Sequence, residues 1–115
     1  MAKVLWFSRH QMSDEQCASL ERKLGTISVH QVDRTVQSAR ELSAEIEDAD
    51  IIAIVAPIGL QAEFLRLAGD KPVISAVSRR ELVEDPNGGE SQTVFVFERW
   101  ERLLKVEVIK ETFSD

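Results

Sequence analysis

Three short stretches of the chain set polar, reactive side chains side by side. The first is Ser8-Arg9-His10, a hydroxyl, a fixed cation and an imidazole in consecutive positions. Arginine grips phosphate oxygens in bidentate fashion and imidazole exchanges a proton near neutral pH, so this trio has the parts to bind a phosphate and move a proton. The second is Pro57-Ile58-Gly59-Leu60-Gln61. Free backbone N–H groups at a helix start attract anions, a glycine there permits close approach, and Gln61 can hydrogen-bond a base or a ribose. The third is Ser78-Arg79-Arg80, a local positive spot in an acidic chain. Each stretch also has a plainer reading. Ser8 to His10 can be a cluster that satisfies backbone groups. Gly59 can be an ordinary tight turn with Gln61 solvated. The arginines can form surface ion pairs with Glu81 and Glu84, which contribute little.

The remaining reactive side chains point to structure rather than chemistry. The two histidines, His10 and His30, lack the spacing of a metal pair, and one cysteine makes neither a disulfide nor a thiolate zinc site, so no metal and no cofactor is expected. Cys17 falls on an apolar helix face, and Trp6 lies in an apolar run. Trp100 reads equally as a core, interface or lid aromatic. Glu45, Glu47, Asp48 and Asp50 read as solvated.

The elements that must position these groups follow from periodicity. Lys3 to Ser8 (KVLWFS) reads as a buried strand. Ser13 and Gln16 form a capping box, Cys17, Leu20 and Leu24 share one face, and Gly25 suits a C-cap, so a helix spans Ser13 to Leu24. Ile27 to Val32 alternates as a second strand. Ser38 and Glu41 form a second capping box for a helix with Ala39, Leu42 and Ile46 inward, ended by Asp48 to Asp50. Ile51 to Ala56 (IIAIVA) is apolar throughout, as in parallel strands covered on both faces. Leu60 to Ala68 reads as a third helix with Leu60, Phe64 and Leu67 inward, and Pro72 to Val77 as a fourth strand. Glu84 to Glu90 is a turn-rich polar loop. Thr93 to Phe97 and Leu103 to Lys110 are strand-like, and either pair as a hairpin around Glu98 to Arg102 or flank a short helical turn over Glu98 to Leu104.

This order predicts an α/β protein: a three-layer Rossmann-like domain over residues 1–115, with a mostly parallel sheet and a C-terminal β-hairpin. Ligands of such sheets bind beyond the carboxyl ends of the strands where the strand order reverses, which is where the three polar stretches are expected to gather. With 14 Lys and Arg against 20 Asp and Glu the net charge is −6, so binding to long nucleic acid through phosphate neutralisation is disfavoured, while a small cationic pocket is not. No export signal and no membrane-length apolar run is read, so the expected location is the cytoplasm.

The WFSRH at residues 6–10 and the API-x-LQAE at residues 56–63 resemble the small CRISPR-associated ring nucleases, single-domain relatives of the CARF sensor domains. The resemblance covers about the first two-thirds of the chain. It implies a Rossmann-like homodimer that holds cyclic oligoadenylate, the messenger of an antiviral defence, across its strand ends. It also implies metal-independent cleavage by attack of a ribose 2′-hydroxyl on the adjacent phosphate. On that reading Ser8, Arg9 and His10 are the phosphate-binding and catalytic candidates, and Gly59 and Gln61 cradle the ligand. Arg79 and Arg80 match no motif of the family, and the strands after residue 90 depart from it. A sensor or sponge that binds the ring without cleaving it fits the same residues, as does a Rossmann-like module that binds a protein.

Overall fold

Stretches with no polar face must be covered on both sides, and they form the middle of the sheet. In the computed structural model, which describes residues 1–114, these are β1 (Ala2–Phe7) and β3 (Ile51–Ile54); Val4 to Phe7 and all of β3 are buried. With β2 (Ile27–Val32), β4 (Val73–Val83) and β5 (Gln92–Arg102) they build a five-stranded sheet of order β2-β1-β3-β4-β5. β1 runs parallel to β2 and β3, and β3 runs parallel to β4; only β5 is antiparallel to its neighbour. The architecture is mixed α/β with a mostly parallel sheet and three α-helices.

Alternation along the central strands divides the core in two. Leu5, Phe7, Ile52 and Ile54 pack with Leu42, Ile46 and Phe64, and the Phe7 and Phe64 rings lie 5.2 Å apart. Val4, Trp6, Ala53 and Ile74 pack with Leu20, Cys17, Leu24 and Trp100. Helix α1 (Asp14–Leu24) covers the second face; α2 (Ser43–Asp48) and α3 (Ile58–Ala68) cover the first.

Local chemistry sets the helix ends. Ser13 Oγ accepts from Gln16 N at 3.1 Å and Gln16 Oε1 accepts from Ser13 N at 2.9 Å, the expected capping box. Gly25 closes α1 at a φ of 76° and donates its N–H to Glu21 O at 2.8 Å. The Ser38–Glu41 box is also present, but it opens a 3-10 turn over Ala39–Leu42 that precedes α2. Asp48 and Asp50, expected to be merely solvated, both hold Lys3: its Nζ lies 3.1 Å from Asp48 Oδ1, and its backbone N–H donates to Asp50 Oδ2 at 2.8 Å.

The last third differs from the sequence expectation. The hairpin is β4 with β5, not Thr93–Phe97 with Leu103–Lys110, and Glu98 to Arg102 is neither turn nor helix but strand. The Glu84 to Glu90 loop is the hairpin's own connection, where Asp85 Oδ1 accepts from Asn87 N at 2.8 Å and Gly88 takes a φ of 82°. β4 continues through the charged Ser78–Glu81 because there it meets only β5 and water, so its residues need not be apolar. Only Val73 and Ile74 pair with β3; the rest of β4 runs past the sheet as a two-stranded ribbon, with a bulge that leaves Glu98 without an opposite residue. Among the described residues no helix is long and apolar enough to cross a membrane.

Candidate functional site

β2 lies on one side of β1 and β3 on the other, so the chain changes direction across the sheet between β1 and β3. Connections leaving such a pair diverge and open a crevice beyond the carboxyl ends. A pocket of about 390 Å³ lies there. Three segments line it: Ser8, Arg9 and His10 after β1; Asp33, Arg34 and Thr35 after β2; and Val55, Pro57 and Leu60 between β3 and the first turn of α3. Phe7, Val32 and Val36 add apolar wall. The volume falls within the ~300–1,000 Å³ of ordinary small-ligand sites.

The Ser8–His10 segment is held through its backbone carbonyls and through the Ser8 hydroxyl. Ser8 is 5% exposed, and its Oγ accepts the His10 N–H at 3.1 Å. Gln31 Nε2 donates to Ser8 O at 2.9 Å and to His10 O at 3.1 Å, and Trp6 Nε1 donates to His10 O at 2.8 Å. The two carbonyls are therefore fixed from the neighbouring strand and from the core. Arg9 Nη2 donates to Thr35 Oγ1, which ties the β1 and β2 ends together. A guanidinium has five N–H donors, so this contact leaves most of them free for an anion. Among the described residues neither Arg9 nor Arg34 forms an ion pair. The result is an apolar floor rimmed by two guanidiniums, an imidazole, hydroxyls and one carboxylate.

The structure brings together only part of the residues singled out from the sequence. Ser8, Arg9, His10, Pro57 and Leu60 line the pocket. Ile58, Gly59 and Gln61 do not. A Cβ at Gly59 would meet open space, so no close approach within the chain requires a glycine there. Gln61 Nε2 donates to Ala56 O at 2.8 Å, bracing the turn that carries Pro57 and Leu60. Ser78, Arg79 and Arg80 lie along the ribbon, outside the pocket. Arg79 pairs with Glu81 at 3.3 Å and Glu98 at 3.7 Å, and Arg80 sits over the Phe95 ring at 5.8 Å. The carboxylate partners are thus Glu81 and the cross-strand Glu98, not Glu84.

Sequence reasoning missed Asp33, Arg34 and Thr35. The signal was present: an acidic residue directly after the second strand of a β-α-β unit is placed to reach a ribose hydroxyl. Cys17 is not a nucleophile in waiting. Burial, followed by the nearby Glu21 and Asp14 carboxylates, pushes its thiol above the ordinary value of 9.0 and keeps it protonated at neutral pH. Trp100 is a core aromatic, edge-on to Trp6 at 5.8 Å, with its N–H donated to Gln16 O at 3.2 Å. Among known proteins, no family model, no curated protein and no solved structure matches this chain.

Proposed function

We propose that the chain is a Rossmann-like, three-layer nucleotide-binding domain whose strand-end pocket takes cyclic oligoadenylate and cleaves it. One observation carries the reading: Ser8, Arg9 and His10 share a single pocket with Asp33, Arg34 and Thr35 where the strand order reverses. The apolar floor suits an adenine face. Arg9 and Arg34 suit the phosphates, and Asp33 can accept from ribose hydroxyls. The pocket is sized for one small ligand, so a ring of several nucleotides would be shared between two copies.

In the proposed reaction the 2′-oxygen forms a bond to the adjacent phosphorus and the bond from phosphorus to the 5′-oxygen breaks. The proton leaves the 2′-hydroxyl and another reaches the departing 5′-oxygen, giving a 2′,3′-cyclic phosphate and a free 5′-hydroxyl. Arg9 stabilises charge on the phosphoryl oxygens and His10 transfers the proton. Holding the attacking oxygen in line supplies much of the acceleration.

The test is incubation with cyclic tetra-adenylate and cyclic hexa-adenylate without added metal, followed by separation of linear products. Cleavage that is lost in Arg9→Ala and His10→Ala supports the reading. Tight binding with intact ring recovered makes the protein a sensor or sponge instead. No thermal shift with any cyclic or linear adenylate removes the nucleotide from the reading and leaves a protein-binding module.

A further inference from the structure

The amino ends of the parallel strands carry a second recess. β3 begins at Ile51 and Pro72 directly precedes β4; beside them, between α1 and β5, lies a hollow of about 320 Å³. The Ser8–His10 pocket lies at the other end of the sheet, and the two share no lining residue. The floor of the hollow is Leu20, Ile51, Ile74 and Trp100, all from the α1 half of the core. The Trp100 N–H is already donated to Gln16 O, and its ring stands edge-on to Trp6, so the indole offers the hollow apolar surface and no free polar atom.

The rim is cationic although the chain is acidic. Lys23, Arg99 and Arg102 stand there with one carboxylate, Glu101. Glu101 is matched within its own strand, its Oε1 lying 2.6 Å from Arg99 Nη2. Lys23 and Arg102 enter no ion pair among the described residues. Two uncommitted positive charges, one from the last turn of α1 and one from the end of β5, therefore stand over an apolar floor. The chain beyond β5 does not use them. Leu103 packs into the opposite half of the core with its N–H on Val73 O, and none of residues 103–114 lines the hollow.

We propose that this hollow binds a small aromatic acid, a flat apolar ring bearing one carboxylate. The volume lies within the ~300–1,000 Å³ of small-ligand sites. The ring would lie on Leu20, Ile74 and Trp100, since aromatic rings gain from offset or edge-on packing beyond the area they bury. The carboxylate would meet Lys23 and Arg102, whose guanidinium fork matches a carboxylate in bidentate fashion. An apolar body alone would leave both cations unused, and a cationic ligand would be repelled by them. The site does not rest on the nucleotide reading.

The test is titration of the full chain with naphthoate, followed by amide and indole N–H shifts in NMR. Naphthylmethylamine, a comparable ring with a positive charge, is titrated beside it, and both are repeated on a Lys23→Glu/Arg102→Glu double variant. The two replaced side chains are exposed, so the fold should persist, with circular dichroism as the check. Naphthoate is expected to shift Leu20, Ile74 and the Trp100 indole N–H to saturation, and to bind roughly tenfold more tightly than the amine, the lower worth of a charged hydrogen bond. In the double variant that preference should reverse. The comparison of acid with amine needs only the unaltered chain, so it decides the matter even if the variant misfolds. No shifts at these residues, shifts confined to Ser8–His10 and Thr35, an amine bound as tightly as the acid, or a folded double variant that keeps the original preference overturns the proposal.

Discussion

Two pairs of arginines in this molecule sit in contrasting surroundings. Arg9 and Arg34 sit at the rim of an apolar pocket with no ion-pair partner among the described residues. Arg79 and Arg99 lie on the β4–β5 ribbon, where Glu81, Glu98 and Glu101 lie within 3.7 Å of them. A guanidinium already matched with carboxylates in water has little left to offer a ligand. One over an apolar floor, held by a single neutral hydroxyl, has most of its donors free. The same contrast holds for the apolar residues: those behind the pocket are sealed between sheet and helices, and those of the distal ribbon face water.

The largest expected effect separates the two regions by stability. Phe64, fully buried against Phe7, should cost about 3–5 kcal/mol when replaced by alanine in urea unfolding. Phe95→Ala, on the ribbon, should change the single chain by less than ~0.5 kcal/mol. Similar losses at both would mean the ribbon is as firmly packed as the core and would end the contrast. Next comes the proposed ligand: on that reading Arg9→Ala should weaken cyclic adenylate binding by roughly tenfold to a hundredfold, the worth of a charged hydrogen bond. Arg79→Ala, read by the same titration calorimetry, should leave it unchanged. Equal losses would place the ligand across the ribbon instead.

A smaller difference is expected between a cap and a surface ion pair. Ser38 Oγ accepts from Arg40 N at 3.2 Å and donates to Glu63 Oε1 at 2.6 Å, so Ser38→Ala should cost about 1 kcal/mol. Arg79→Ala should stay within ~0.5 kcal/mol in the same denaturant series. The smallest effect concerns Cys17. Its folded thiol titrates above the ordinary 9.0, so the folded state holds its proton where the unfolded chain has lost it. This contribution is complete below 9.0 and is lost as pH rises from there through the raised folded value. The wild type should therefore lose slightly more stability in alkali than Cys17→Ala, and its thiol should react with Ellman's reagent more slowly than free cysteine at pH 8.

What was legible in the sequence was what neighbours along the chain decide. The Ser13–Gln16 box and the Gly25 cap complete their interactions within a few residues, and the unbroken apolar run of β3 marks burial on both faces whatever its partners, so these patterns could be read directly. The charged Ser78–Glu81 stretch misled because a strand with water on both faces needs no apolar alternation. A polar stretch after an apolar strand then looks like the strand's end, when it was the middle of an 11-residue one.

The sequence alone determined the α/β alternation, the buried strands and the placing of Ser8, Arg9 and His10 side by side at the end of the first strand. The tertiary structure decided which other groups they meet. Parallel pairing sets Phe7 opposite Val32, and only that register carries Asp33, Arg34 and Thr35 from a distant part of the chain to the rim of the same pocket. β4 outruns β3 after Ile74, and that difference in length carried Arg79 and Arg80 out of the site and onto the ribbon. Hydrogen-bond register between strands is a long-range choice, fixed when whole apolar faces are buried together, and no local pattern records it.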